Sequence, residues 1–588
     1  MNNDIENRFM EQCINHCKGM MDYISNLKDK KKIEPEVADI LQLIYILDYA
    51  KEVVGKKRVN KFINSTIFSD FNLSYFLKEW FIIDFYDIKE KICFLVKKIE
   101  GGGLFNKEYN LSLDKISNKV SVLWDELRFN QKKNHFLQQK LRKDQERKYE
   151  LIGSKLDLAR RKLVKTLVDH PNFDKTNMPK EQIRALCLAY TNACQNNCRH
   201  CMASRPIKKS LNFDNSKIDE ILYSASEYGI EILLFTGGEP FLALDRMAYT
   251  IRNSKASQIF ITTSGRFAVD NIKGGKTDKI VSRIWDAFCN NKNEKKLGLG
   301  LQISVDVFHQ EIKRKEDDAL KENSPLINVA NLIEIVFKYY PNIKIILMSV
   351  RSGHKNSILR YLFDELERRG IEVIDKDETL LLYDQLICSP PTKGPEILQM
   401  EIDFKFNDRI LRVCCGAQLI TRIGKASLLL PWESMNSAYT LEDFMQMKEV
   451  DKLALESNML LIERDGNVYL GGSLAGIWTL GNIENKKLSE IIDYVSFDPL
   501  VVAINNDLGQ LIKWALEVDP LLGKRISSHP TGMEVLHKTL EDPAMRLYLT
   551  KRILLEKDWY STDIIRDILP NVSLSQLKRE YIQQMSCS

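Results

Sequence analysis

Beyond residue 180 the chain alternates short apolar runs with segments whose apolar residues recur every three to four positions. The runs at 185–190, 230–235, 258–262, 297–305, 344–350 and 372–374 predict strands, and the segments at 216–228, 242–254, 278–290, 326–340 and 357–369 predict the helices between them. In the first helix Ile218, Ile221, Leu222 and Ala225 fall on one stripe. Strictly alternating strand and helix implies an α/β fold with a parallel sheet. Six such units in roughly 190 residues predict a partial (β/α)6, TIM-like barrel, with ligands gathered at the C-terminal ends of its strands. Residues 1–165 read as mostly helical, with a buried helix at 37–49 and a glycine-rich break at 100–104 that lacks the Lys-Ser/Thr of a phosphate loop. Residues 398–406, 412–416, 428–431 and 460–472 look β-like, and 484–588 look helical. The boundaries so predicted are 1–180, helical; 181–385, the α/β core; 386–483, a mixed α+β extension; and 484–588, helical.

The first core strand runs into Cys194-Gln-Asn-Asn-Cys198-Arg-His-Cys201. With 12 cysteines in 588 residues, this spacing should arise by chance about 0.005 times per chain. Three thiolates on one loop suit three irons of a [4Fe–4S] cube and leave the fourth iron open to a small molecule. Structural zinc would need a fourth ligand and usually a second cysteine pair, and His200 sits between two cysteines rather than at ligand spacing.

Composition narrows the context. Hydrophobic content of 44% and charged content of 28% allow large cores, and the net charge of +5 is small for this length. The other cysteines form no regular framework, and the first residues lack a basic and apolar leader, so a reducing, cytoplasmic location is expected. No apolar run approaches membrane-spanning length. Charge is uneven locally: 131–166 holds twelve Lys/Arg against four Asp/Glu. Such a stretch suits a solvated connector helix, and less well a grip on RNA or an acidic peptide.

The second strand ends in Thr236-Gly237-Gly238-Glu239-Pro240. Two glycines permit a tight turn and close approach to a ligand, exposed carbonyls with a carboxylate suit an ammonium group, and proline opens the next helix. A cysteine triad of the form CxxxCxΦC followed by a Gly-Gly-Glu-Pro turn resembles the radical S-adenosylmethionine (radical SAM) enzymes over about 183–376, a third of the chain, with His200 where an aromatic is usual. The resemblance implies a [4Fe–4S] cluster on Cys194, Cys198 and Cys201. It implies S-adenosylmethionine chelating the open iron near His200, Gly237, Gly238, Glu239 and Pro240. It further implies reductive cleavage to a 5′-deoxyadenosyl radical that abstracts hydrogen from substrate, with electrons from a flavodoxin- or ferredoxin-type donor.

Later strand ends add polar groups. Thr262-Thr-Ser-Gly-Arg266 ends the third strand, where many members of the family carry a similar turn. Ser304 and Asp306 share one face after the fourth, and the resemblance places cofactor contacts there; hydroxyl and carboxylate suit a ribose, while a cap or loop ion pair is the plainer reading of Asp306. His309 reads first as a structural histidine. Arg351, ending the fifth strand, suits a cofactor carboxylate or an ordinary ion pair.

The hairpin around Asp465-Gly466-Asn467 and the turn Gly481-Asn482-Ile483 resemble the SPASM or twitch extension of peptide-modifying radical enzymes, in degenerate form, because Gly471-Gly472 stand where that pattern has cysteine. Three readings remain for Cys414 and Cys415: hydrogen-atom donors, ligands of a reduced second cluster, or small buried hydrophobes. The leading expectation is a radical SAM enzyme that modifies a ribosomally made peptide by epimerisation or crosslinking. The alternatives are an RNA- or nucleotide-modifying radical enzyme, with RNA held by 131–166, and a non-catalytic iron–sulfur redox sensor. A sensor has no need of the polar strand ends.

Overall fold

The computed structural model describes Arg8 and residues 154–586, apart from short stretches such as 203–212, 352–357, 431–436 and 448–457. The helix expected at 37–49, the break at 100–104, the basic stretch up to 153 and most of 428–431 lie outside the described residues.

Thirteen strands are described: β1 (Ala185–Leu188), β2 (Ile232–Phe235), β3 (Gln258–Thr263), β4 (Gly298–Ser304), β5 (Ile312–Arg314), β6 (Leu320–Glu322), β7 (Ile343–Arg351), β8 (Glu372–Val373), β9 (Ile397–Phe406), β10 (Arg409–Leu419), β11 (Met459–Ile462), β12 (Asn467–Leu470) and β13 (Thr479–Asn482). All but β5 and β6 form one sheet in the order β13-β12-β11-β1-β2-β3-β4-β7-β10-β9-β8. Strands β1, β2, β3, β4, β7 and β10 are parallel neighbours in chain order. The sixth parallel strand is therefore β10 and not the expected run at 372–374. That run is only two residues long as β8, and it pairs antiparallel with β9 at the far edge. Strand β10 reaches its place because β9 turns back on it as a long antiparallel hairpin, with Asn407 and Asp408 in left-handed conformations between them. On the other edge β11 pairs parallel with β1, and the β11–β12 hairpin turns at Gly466 (φ 80°).

The helices are α1 (Ser154–Val168), α2 (Asn215–Glu227), α3 (Leu244–Asn253), α4 (Lys276–Cys289), α5 (Leu326–Tyr339), α6 (Ile358–Glu367), α7 (Lys376–Cys388), α8 (Leu441–Gln446), α9 (Leu488–Ser496), α10 (Pro499–Val518), α11 (Leu522–Arg525), α12 (Gly532–Leu540), α13 (Pro543–Glu556), α14 (Thr562–Ile568) and α15 (Leu574–Ser586). Helix α2 starts where the Asp214 side chain accepts from the Lys217 N–H (2.9 Å), and it buries the predicted stripe of Ile218, Ile221, Leu222 and Ala225. Side chains alternate along each strand. Leu188, Phe235, Ile261, Leu301, Leu347 and Cys415 enter the core beneath these helices, and Thr262, Gln302, Ile346 and Cys414 take the opposite face.

One apolar core extends from Ile183 to Tyr581, across the boundaries expected at 385/386 and 483/484. Helix α1 anchors a second, smaller apolar cluster beside it. Val164, Leu167 and Val168 pack with Phe173, Phe497 and Leu554. Arg160, fully buried, forks onto Asp498, donates to Thr550 Oγ1 (2.9 Å) and lies 4.6 Å from the Trp478 ring. One turn earlier Asp157 receives Arg546 (2.7 Å). The last turns of the basic stretch are thus docked rather than solvated on every side. No helix among the described residues is long and apolar enough to cross a membrane.

Candidate radical SAM site

The cysteine loop leaves the C-terminal end of β1 and is stitched to the turn that leaves β2. Gly238 N–H donates to Thr191 O (2.8 Å) and Glu239 N–H to Ala193 O (2.9 Å). Only glycines allow this approach. A Cβ at Gly237, which has φ +110°, would lie 2.4 Å from Thr191 O, and one at Gly238 would lie 2.1 Å from Ala193 O. From the end of β3, Arg266 Nη1 donates to Gln195 O (2.7 Å), to Asn196 Oδ1 (2.9 Å) and to Asn323 O. The third cysteine is held from the far side of the sheet, where Lys425 N–H donates to Cys201 O (3.0 Å).

Cys194 is exposed, Cys198 buried and Cys201 partly buried, and none is in a disulfide. Burial is the main cause that raises the Cys194 and Cys198 thiols. Nearby carboxylates and the neighbouring thiols add to it, Glu239 and Cys201 on Cys194, and Asp306 with both other cysteines on Cys198. Three free cysteines on one loop, which two glycines hold against the strand ends, fit a cluster with one iron left open.

Glu239 is 2% exposed. Its carboxylate accepts from Thr263 Oγ1 (2.8 Å), Ser264 Oγ (2.9 Å) and Ser264 N–H (3.2 Å), bracing the end of β2 to the end of β3, and it caps the short 3₁₀ turn Pro240–Ala243. Burial raises its pKa despite these donors.

Ser304 is the last residue of β4, and its carbonyl accepts from Gln310 Nε2 (3.2 Å). Asp306 caps the turn that follows: it accepts from Phe308 N–H (2.9 Å) and His309 N–H (3.0 Å) and pairs with His309 Nδ1 (2.7 Å). Burial works against its ionisation, but His309 and then His200 hold its carboxyl well below the ordinary range. For His309 burial works downward and the Asp306 charge outweighs it, leaving the pKa raised. Burial pushes His200 down to about 4. The His200 ring packs on Phe308 (4.8 Å) and edge-on to His309 (4.7 Å).

This brings together a group that sequence reasoning missed. One ligand atom each from Cys198, His200 and His309 lies within 4.8 Å of the others. The only hint in the sequence was the i, i+3 spacing of Asp306 and His309; nothing local places them beside Cys198. Arg351 ends β7 buried, and burial lowers its pKa.

Cys414 and Cys415 part company. Cys415 is buried in the apolar core, where desolvation raises its thiol strongly. Cys414 is half-buried on the opposite face, in one row across the sheet with Thr262, Gln302 and Ile346, and burial followed by Glu401 raises it. Thr262 Oγ1 donates to Gln302 Oε1 (2.9 Å) within that row.

Residues 188–323 match the model of the radical SAM superfamily. The chain carries a radical SAM domain. GTP 3′,8-cyclase of Aquifex aeolicus (strain VF5) is 26% identical over 252 residues, which cover 40% of this chain and 74% of that protein. Among solved structures, SuiB of Streptococcus suis bound to S-adenosylmethionine aligns with a TM-score of 0.31 and 12% identity, over 71% of this chain and 78% of that one. Native anSMEcpe with bound AdoMet aligns with a TM-score of 0.28 and 14% identity, over 53% and 83%. The protein is a radical SAM enzyme, with a [4Fe–4S] cluster and S-adenosylmethionine as its cofactors.

Proposed function

We propose that this radical SAM enzyme epimerises a residue of a ribosomally made peptide. Bound at the mouth of the parallel strands, the cluster and S-adenosylmethionine supply one electron and the 5′-deoxyadenosyl radical that takes the substrate hydrogen. Cys194, Cys198 and Cys201 hold the cluster, and the turn Gly237–Pro240 with Ser304 borders the cofactor. The six parallel strands in chain order support a reading as an open (β/α)6 barrel, and β11–β13 as a degenerate SPASM-like extension.

The observation that carries the substrate reading is the half-buried Cys414 thiol, which pairs with Ile346 of β7 and shares a row across the sheet with Gln302 and Thr262, on the face away from the helices. A raised pKa keeps it protonated, and a thiol hydrogen is readily given to a carbon radical. The substrate Cα–H hydrogen leaves to the 5′ carbon, the Cys414 S–H hydrogen returns to the opposite side of Cα, and one electron and one proton from a flavodoxin- or ferredoxin-type donor restore the thiol. The test is a reaction of the reduced, anaerobic enzyme with candidate peptides in deuterated water. Expected are 5′-deoxyadenosine and deuterium at one Cα, with Cys414→Ser keeping the former and losing the latter. Peptide turnover without Cα deuterium overturns epimerisation, and no 5′-deoxyadenosine from cluster-loaded enzyme with any candidate overturns the assignment.

A nucleotide substrate is the second reading, favoured by the similarity to GTP 3′,8-cyclase. Substrate-dependent 5′-deoxyadenosine with a nucleoside triphosphate and none with peptides would establish it.

A further inference from the structure

A groove of about 380 Å³ separates α1 from the chain that runs through β13 into α9. Along α1 the outer wall is the stripe Leu158, Arg161, Lys162 and Lys165, at the i, i+3, i+4, i+7 spacing that places residues on one face, with the buried Arg160 and Val164 reaching the groove beside it. The adjoining stripe, Arg160, Val164, Leu167 and Val168, is the one buried in the protein. The exposed stripe therefore does not hold α1 in place. Leu158 nonetheless stands 46% exposed in it.

The opposite wall is Leu480, Gly481 and Asn482 of β13, with Lys486 beyond them. Strand β13 ends the eleven-stranded sheet, and among the described residues its outer edge pairs with no strand. Arg161, Lys162, Lys165 and Lys486 make no ion pair among the described residues, and Asp498, the one acid in the wall, is taken by Arg160. An unpaired strand edge offers backbone N–H and C=O groups; on this short strand the Asn482 carbonyl is already taken by the N–H groups of Asn485 and Lys486, and the four cations without an ion pair among the described residues set the sign of what will lie along the rest.

We propose that this groove binds an acidic peptide segment in extended form, laid along the β13 edge, with alternate side chains directed to the α1 cations and to the aliphatic floor. This deepens the peptide reading of the substrate, on which it rests, by assigning a place to hold a part of the peptide that does not react. A nucleic acid fits less well. The one aromatic in the wall, Tyr494, already carries Lys486 at 5.6 Å over its ring and bonds Asp169 through its hydroxyl, so no free stacking platform is offered. Strand addition draws affinity from main-chain hydrogen bonds and specificity from alternate side chains.

The test uses the full chain, without reductant, and fluorescence anisotropy of three labelled probes. The first is a decapeptide alternating glutamate and valine, the second has the same composition at helical spacing, and the third is a single-stranded oligonucleotide. The first should bind best and weaken with salt. Arg161→Glu with Lys165→Glu should weaken it at least tenfold, and the milder Arg161→Gln with Lys165→Gln should do so by less, both with wild-type circular dichroism. Tighter binding of the helical probe or of the oligonucleotide overturns the proposal, as does an affinity unchanged by the substitutions or no binding of the first probe. Formation of 5′-deoxyadenosine on the same preparations reports separately on the radical chemistry, so failure of the groove and failure of the enzymatic reading are told apart.

Discussion

Arg266, two residues beyond a buried serine at the end of β3, reaches across the mouth to donate to the carbonyl of Gln195, 2.7 Å away inside the cysteine loop. The same guanidinium takes Asn196 and Asn323, so one side chain ties the loop to the end of β3 and to the segment after β6. Hydrogen bonds made by a charged donor contribute about 1.5–3 kcal/mol each. Arg266→Ala should leave the cysteines in place but the loop loose, so that a chelator strips iron at least about tenfold faster. Iron loss at the wild-type rate would mean that the loop is held by other contacts.

Gly238 should tolerate no side chain. A Cβ there meets the Ala193 carbonyl oxygen at 2.1 Å and its carbon at 2.6 Å, both backbone atoms that cannot swing aside. Overpacking of this kind costs about 1–3 kcal/mol or more, and here it falls on the stitch between loop and turn. Gly238→Ala should lower iron per chain after anaerobic reconstitution to the level of Cys198→Ala. Full iron loading in Gly238→Ala would contradict this view of the stitch.

Glu239 links stability to pH. Burial raises its carboxyl above the ordinary 4.5, so between that value and the raised one the folded protein holds more proton than the unfolded chain. The stabilisation it supplies is complete below pH 4.5 and fades as pH rises through the raised value. Glu239→Gln removes this slope. It also turns an amide NH₂ toward Thr263 or Ser264, groups that now donate, at a cost of about 1–3 kcal/mol. Urea unfolding of both proteins across acidic pH checks both effects, and parallel pH curves would argue against them.

The docking of α1 depends on a buried charge pair. Removing one member of such a pair strands the other and costs about 3–5 kcal/mol. Arg160→Met should cost that much in urea unfolding, while Arg160→Met with Asp498→Asn, which keeps an oxygen to cap α10, should recover a large part of it. Equal losses in the single and double variants would show that the Arg160 contacts with Trp478 and Thr550 carry the effect instead.

What could be read before folding follows the range of the interactions. The parallel strands β1, β2, β3, β4 and β7 announce themselves by local alternation, and the cysteine loop and glycine turn lie within a few residues each. The sixth strand does not, because β10 gains its place by pairing Cys414 with Ile346, a long-range choice that the run at 372–374 imitates locally. The docking of α1 was hidden for the same reason. In a stretch dense with basic residues, only partners more than 300 positions away single out Arg160 for burial. His309 and His200 meet through the turn after β4, which no spacing rule foretells.

The position of β11 sets the order of events as the chain is made. Strand β1 pairs with β2 soon after both emerge, but its other edge waits for Met459–Ile462, and Cys201 waits for Lys425. Pairings so distant in sequence form late and leave apolar strand edges open meanwhile. Iron delivered to the nascent chain would find three cysteines on an unfinished support. The cysteine loop gains its full support only once Lys425 and Met459–Ile462 have been made, so cluster insertion is a late step in biogenesis.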